Sequence, residues 1–119
     1  MVSLRRGEVV WVRLSPGEGA EQYKMRPAIV VSNNVANASA QRAGRGVVTV
    51  VPLTSARTTP YAHQVAAPAV FTGLSRDGVV QTEQIRAVDI SRVRQTGRTV
   101  NPLMMRDLER SISVHLDLP

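Results

Sequence analysis

Arg26-Pro27-Ala28-Ile29-Val30-Val31-Ser32-Asn33 begins at an arginine, passes through an unbroken apolar run and ends in polar residues. Val and Ile favour a pleated backbone, and an apolar run this short, bounded by Pro and by Ser-Asn-Asn, reads as a strand buried on both faces. Pro27 has no backbone N–H and suits the first position of such a strand, which leaves Arg26 just outside the ladder. A rigid core strand with a guanidinium at its entrance is one way to build a fixed site.

Val47-Val48-Thr49-Val50-Val51-Pro52-Leu53 is a second β-branched run, with Thr54 and Ser55 where it ends. If the two runs are antiparallel neighbours, Arg26 at the start of one lies close to Thr54 at the finish of the other. Around this pair the remaining segments fall into order. Gly7 to Leu14 reads as a first strand, with Val10, Val12 and Leu14 on one face and Val9, Trp11 and Arg13 on the other. Ser15-Pro16-Gly17-Glu18-Gly19 breaks the chain, and a polar loop follows through Met25. Asn33 to Ser39 is expected to form a short helix capped by Ser32 or Asn33, and Gln41 to Gly46 a surface turn.

Further on, Tyr61 to Ala66 reads as a weakly alternating strand, Pro68 to Asp77 as a long loop and Gly78 to Thr82 as a strand. Glu83, Gln84 and Arg86 are polar groups at its end. Asp89 to Val93 suits a turn or short helix, and Arg94 to Val100 a last strand. Asn101-Pro102 has the form of a helix N-cap followed by its first position. Leu108, Ile112 and Leu116, with Met104 or Met105, then make an apolar stripe at helical spacing. The expected architecture is mainly β with appended helices: a small, strongly bent sheet or barrel, closed by a C-terminal helix.

A chain of 119 residues suits one domain, here taken as 1–119. Cysteine is absent, which removes disulfides, thiolate metal sites and cysteine nucleophiles together. No signal-like or membrane-spanning apolar run is present, so a cytoplasmic location is expected. The formal charge is +6, and every cationic side chain except Lys24 is an arginine. That balance favours polyanions, nucleic acid first, because the planar guanidinium fork donates two hydrogen bonds to a phosphate.

Gly7-Glu8-Val9-Val10-Trp11, Gly19-Ala20-Glu21-Gln22, Arg26 to Asn33, Val51-Pro52-Leu53-Thr54-Ser55 and Glu83-Gln84-Ile85-Arg86 occur in one order and at similar gaps in a known group of proteins. The chain resembles the MazF (PemK-like) family of toxin ribonucleases from about residue 5 to residue 118. The resemblance implies an SH3-like small barrel of the MazF, PemK and CcdB type, working as a homodimer. It also implies metal-independent, cofactor-free cleavage of single-stranded RNA at a short sequence, and inhibition by a cognate MazE-like antitoxin with a disordered acidic tail. Carried onto this sequence, the essential arginine is Arg26 and the essential threonine Thr54. RNA contacts are then expected at Lys24, Asn33, Ser55, Arg57, Glu83, Gln84 and Arg86.

Cleavage of this kind uses the ribose 2′-hydroxyl as nucleophile and leaves a 2′,3′-cyclic phosphate and a 5′-hydroxyl. Arg26 can stabilise the phosphorane and the Thr54 hydroxyl can donate to a non-bridging oxygen. The proton acceptor stays open between Glu21, His63 and solvent, since an arginine with a pKa above about 12 is a poor base. Two other readings use the same fold: a non-catalytic RNA-binding module, and a gyrase-poison-like toxin. The latter acts through a C-terminal helix with a particular aromatic ending, which His115-Leu116-Asp117-Leu118-Pro119 lacks.

Overall fold

Short β-branched segments separated by Gly, Pro and polar turns can bury their side chains only by pairing into a sheet. The computed structural model describes residues 2–14 and 24–119. Seven strands form: β1 (Glu8–Val12), β2 (Arg26–Val30), β3 (Val47–Thr54), β4 (Val65–Ala67), β5 (Gly78–Val80), β6 (Arg86–Asp89) and β7 (Val93–Thr99). Three helices accompany them: α1 (Asn34–Ala43), α2 (Ala69–Thr72) and α3 (Pro102–His115). Single 3-10 turns occupy Thr82–Gln84 and Ile90–Arg92.

All the pairings are antiparallel, in the order β4-β5-β3-β2-β1-β7, with β6 also on β3. The eight-residue β3 is the axis of the sheet. One of its edges pairs with β2, while the other takes β6 along Val47 to Val50 and β5 at Leu53 and Thr54. Pro52, which has no N–H to donate, sits between those two partners. Among the described residues no ladder joins β4 to β7, so the barrel-like curvature ends in an open sheet.

Both faces of the sheet are buried, each against a separate cluster. Val10, Val12, Ala28, Val30, Val48 and Val50 pack on one side with Leu4 and Val88. Val9, Ile29, Val51, Leu53 and Val80 pack on the other with Met104 and Leu108 of α3. The helical stripe is correspondingly Met104, Leu108 and Ile112. Leu116, expected in that stripe, is exposed, because the helix ends at His115 and Leu116 is its C-cap. Asn101 caps α3, its side chain accepting from the Met104 N–H at 2.8 Å, with Pro102 at the first helical position.

Other expectations are revised. Arg26 is inside the ladder, paired with Val12, and Pro27 is the second strand residue, opposite Trp11. The β1 edge of β2 thus continues past the proline. α1 runs on to Ala43 and ends at Gly44 in the left-handed conformation, so much of the expected turn from Gln41 is helix. Tyr61 to Gln64 is a turn and only Val65–Ala67 pairs, while the loop from Pro68 holds the short α2.

Glu8 is 2 % exposed and holds the irregular β1–β7 pairing together. Its carboxylate accepts from the Gly97 N–H at 3.1 Å and from Gln95 Nε2 at 3.2 Å, beside the register shift at Val9/Val10. Gly97 itself has φ +77°, which a side chain would strain. Replacing Glu8 by Ala leaves these donors without their acceptor, and the expected loss of stability is about 1–3 kcal/mol. Urea unfolding should show a lower midpoint with an unchanged slope.

Candidate nuclease site

The β2–β3 ladder pairs Ala28 with Pro52, Ile29 with Val51 and Val30 with Val50. Continued by two residues, the same register sets Arg26 opposite Thr54. Directly opposed residues of antiparallel strands have Cα atoms about 4.5–5.5 Å apart and project from the same face. Two residues separated by most of a loop, a helix and a strand in sequence are therefore brought side by side. Arg26 is exposed and makes no hydrogen bond or ion pair among the described residues.

Thr54 is half-buried, and its Oγ1 accepts from the Ala56 N–H at 3.1 Å. That bond orients the hydroxyl while leaving its hydrogen free to donate. Thr54 is further fixed by Gly78 of β5. A Cβ on Gly78 would lie 2.2 Å from the Thr54 carbonyl oxygen, so the two backbones approach more closely than any side chain permits. Beneath these strand ends, on the opposite face, is an apolar cleft of about 190 Å³ walled by Trp11, Pro27, Leu53, Ala67 and Leu74. Thr54 and Ser55 border it, and Arg76 stands at its edge.

The loop that leaves Thr54 is braced internally. Arg57 donates to the Thr59 carbonyl and to Gln64 Oε1, both at 2.8 Å, and its guanidinium lies 3.6 Å from the Tyr61 ring centroid. Gln64 Nε2 in turn donates to both Glu83 carboxylate oxygens, at 3.0 and 2.9 Å. Arg57 and Glu83, both expected at the RNA surface, are thus joined through Gln64 and hold the loop in place. Beside them, the Thr82 and Ser111 hydroxyls are 2.7 Å apart in the interior, and Ser111 Oγ also donates to the His63 carbonyl. α3 is in this way tied to the turn that carries Glu83 and Gln84.

The remaining expected site residues are spread over the surface. Lys24 is exposed just before β2, and Ser55 is exposed just after Thr54. Arg86 is exposed and pairs with Val50, about 13 Å along β3 from Thr54 on the same face. Gln84 is exposed in its 3-10 turn. Asn33 stands beyond the opposite end of β2 from Arg26, and its Oδ1 is committed to capping α1 through the Ala36 N–H. His63 lines a cleft with Asp107 and Arg110 of α3, to which neither Arg26 nor Thr54 contributes. Glu21 lies outside the described residues. Among the described residues no group of three or more His, Asp or Glu side chains gathers in a way that could hold a metal.

Gln64 and Gly78 were not singled out by the sequence. Gly78 carries the weaker of two possible signals, a glycine opening a strand, which marks close backbone approach as often as a bulge. Gln64 carries none.

Residues 5–116 match the model of the PemK-like, MazF-like toxin of type II toxin-antitoxin system. The chain belongs to that family. It is 44% identical to Endoribonuclease MazF9 of Mycobacterium tuberculosis over 115 residues, covering 97% of this chain and 98% of that one. Endoribonuclease EndoA of Bacillus subtilis is 29% identical over 97% of this chain and 96% of its own. In three dimensions the chain is similar to a MazE–MazF crystal structure from Deinococcus radiodurans, with TM-score 0.75 and 25% identity over 99% of this chain and all of that one. The MazF-like fold is therefore established independently of the sequence motifs.

In this MazF-like chain Gly78→Ala tests the fixing of Thr54 directly. The added methyl meets backbone, which cannot swing away, so the expected cost is about 1–3 kcal/mol. Val79 and Val80 amides should lose hydrogen-exchange protection ahead of those in β1.

Proposed function

We infer that the chain is the toxin of a type II toxin–antitoxin pair and acts as an endoribonuclease on single-stranded RNA. The observation that carries the mechanism is the β2–β3 register, which, extended two residues past the Ala28–Pro52 pair, sets Arg26 opposite Thr54 in a member of this family. The ribose 2′-oxygen attacks the adjacent phosphorus, the bond to the 5′-oxygen of the next nucleotide breaks, and the products are a 2′,3′-cyclic phosphate and a 5′-hydroxyl. Arg26 neutralises the charge that builds on the phosphorane, and Thr54 donates its hydroxyl hydrogen to a non-bridging oxygen. Donors pre-set on a stiff ladder are suited to this task because they need no reorganisation when the charge develops.

The partners follow from charge and exposed surface. A cationic protein fits both an RNA backbone and the acidic tail of a MazE-like antitoxin, which would then compete for one face. Relatives of similar fold are known with their antitoxins, one from a mycobacterial species and one from Deinococcus radiodurans. Val70 and Phe71 of α2 and Leu103 of α3 are exposed apolar side chains, with Val70 and Leu103 at 71% and 69%. A homodimer that covers them removes this apolar surface from water. No described helix is long and apolar enough to cross a membrane, and the cytoplasm is where RNA and antitoxin would both be met.

Incubating the protein with a long RNA in EDTA, and mapping cut positions and end groups, tests the reading. Cuts at a recurring short sequence with 5′-hydroxyl and cyclic phosphate ends are expected. Arg26→Ala and Thr54→Ala should each lower kcat by about 10²–10³ while leaving the unfolding midpoint nearly unchanged, since each removes one transition-state donor. Near-normal cleavage by either variant would remove that residue from the mechanism.

A further inference from the structure

Arg57 follows Thr54 by three residues, so however the loop turns, its Cα lies no more than about 11 Å from that of Thr54. From there a chain of contacts leads to Glu83. The Arg57 guanidinium lies 3.6 Å from the Tyr61 ring centroid and donates to Gln64 Oε1, which also accepts from the Tyr61 N–H at 3.1 Å. Gln64 Nε2 donates to both oxygens of Glu83. The two ends of one amide are thus fixed by charges of opposite sign. Ring, guanidinium, amide and carboxylate are set as a unit before any ligand arrives.

Tyr61 is 65% exposed although Arg57 covers one face of its ring, so the other face is open to solvent. In a chain with one Trp, two Tyr and one Phe, that is a large share of the aromatic surface left in water. With Arg57 stacked behind it, the ring is held ready for a flat group to meet from the other side. Every nucleobase presents such a face.

Glu83 supplies a different kind of contact. A carboxylate repels phosphate, and no cation of the protein neutralises this one: the ion pairs among the described residues are Arg6–Glu109 and Arg110–Asp107, and residues 15–23 contain no Lys, Arg or His. Gln64 meets it with a neutral donor and stands between it and Arg57. An ionised carboxylate accepts only, and at more positions than one amide nitrogen can fill. The donors that suit the remainder are N–H groups on the edges of unstacked bases, which single-stranded RNA displays.

We propose that Tyr61 and Glu83, locked in place by Gln64, form a base-reading subsite: a nucleobase near the cut stacks on the open face of Tyr61, and Glu83 accepts from base N–H groups. The proposal rests on the ribonuclease reading for the identity of the ligand. Gln64 is a positioning residue, and none of the three takes part in the chemistry.

The test uses the full chain and a tiled set of uncleavable 2′-O-methyl single-stranded RNAs covering the RNA used to map cleavage. Each nucleotide of the tightest binder is replaced in turn by an abasic one. At one position the wild-type protein should lose about tenfold or more in affinity as the stacked base is removed. In Tyr61→Ala the same replacement should cost little further, because the platform is already gone. Tyr61→Leu, which keeps apolar cover for Arg57 but has no ring, should behave likewise. Glu83→Gln, whose carboxamide brings donors, should alter the preference among the four bases at one position by about tenfold or more. Gln64→Leu should blur that same preference without moving the cut.

The full abasic penalty at every position in both Tyr61 variants overturns the platform, since the ring would then only brace its loop. An unchanged base preference in Glu83→Gln overturns the reading by Glu83. The nuclease assignment fails separately. A wild-type protein that cuts no RNA but shows the coupling between Tyr61 and one base loses that assignment and keeps the subsite, whereas normal cutting with no coupling does the reverse.

Discussion

The pairing of β2 with β3 is the constraint from which the rest of the molecule follows. Both strands are buried on both faces, so their register is read by side-chain size on two sides at once. Ala28 and Val30 meet Val48 and Val50 in one cluster, while Ile29 meets Val51 and Leu53 in the other. A slip by one residue would exchange the faces and set Ile29 where Ala28 now fits. In a close-packed interior even a single methylene is felt, so that exchange is strongly disfavoured. The opposition of Arg26 and Thr54 is thus inherited from apolar packing, and neither polar group has to stabilise the position it occupies.

The surrounding polar residues divide their labour. Glu8, Gln64, Ser111 and Asn37 are used to hold loops and irregular pairings. Asn37, fully buried in α1, donates from Nδ2 to the Ser32 carbonyl and so ties the helix to the end of β2. Such groups cost desolvation and are retained only when satisfied, and no buried side-chain nitrogen or oxygen is left unpartnered among the described residues. Arg26, in contrast, is left without a partner among the described residues at the mouth of the site. In the mechanism proposed above this matters, because a donor already bonded within the protein would have to be released before it could meet a phosphorane.

Much of this was legible in the chain and some was not, for identifiable reasons. β2, β3 and the Asn101-Pro102 start of α3 are written in local chemistry: β-branched runs and a capping residue before proline. Local signals also misled. Pro27 reads as a strand boundary, yet the pairing of Arg26 with Val12 extends the ladder past it. Tyr61 to Gln64 alternates weakly, but Gln64 is drawn into a turn by its bonds to Arg57, Tyr61 and Glu83. Arg57 looks like a free cation in sequence and is half enclosed by its own loop. Each miss depends on a partner distant in the chain or on a side-chain bond that no spacing rule encodes. The resemblance to MazF toxins supplied the site residues as a set, but it could not say that Asn33 stands at the far end of β2 from Arg26.

Charge is the property least used by the fold and most available to its ligands. With +6 overall and two ion pairs among the described residues, most arginines contribute nothing to internal pairing. Exposed ion pairs are in any case worth little, so the fold loses small amounts of stability by leaving them unmade. What is gained is a field that draws polyanions and raises their encounter rate. The same field cannot tell an RNA backbone from an acidic peptide, since both present closely spaced negative charge. Charge can set how tightly a polyanion is held, and selection between polyanions has to come from uncharged geometry. For a toxin this arrangement has a direct consequence. In the proposed reading, an acidic partner held by the same arginines would exclude RNA by occupancy alone, with no change of shape required to switch the enzyme off.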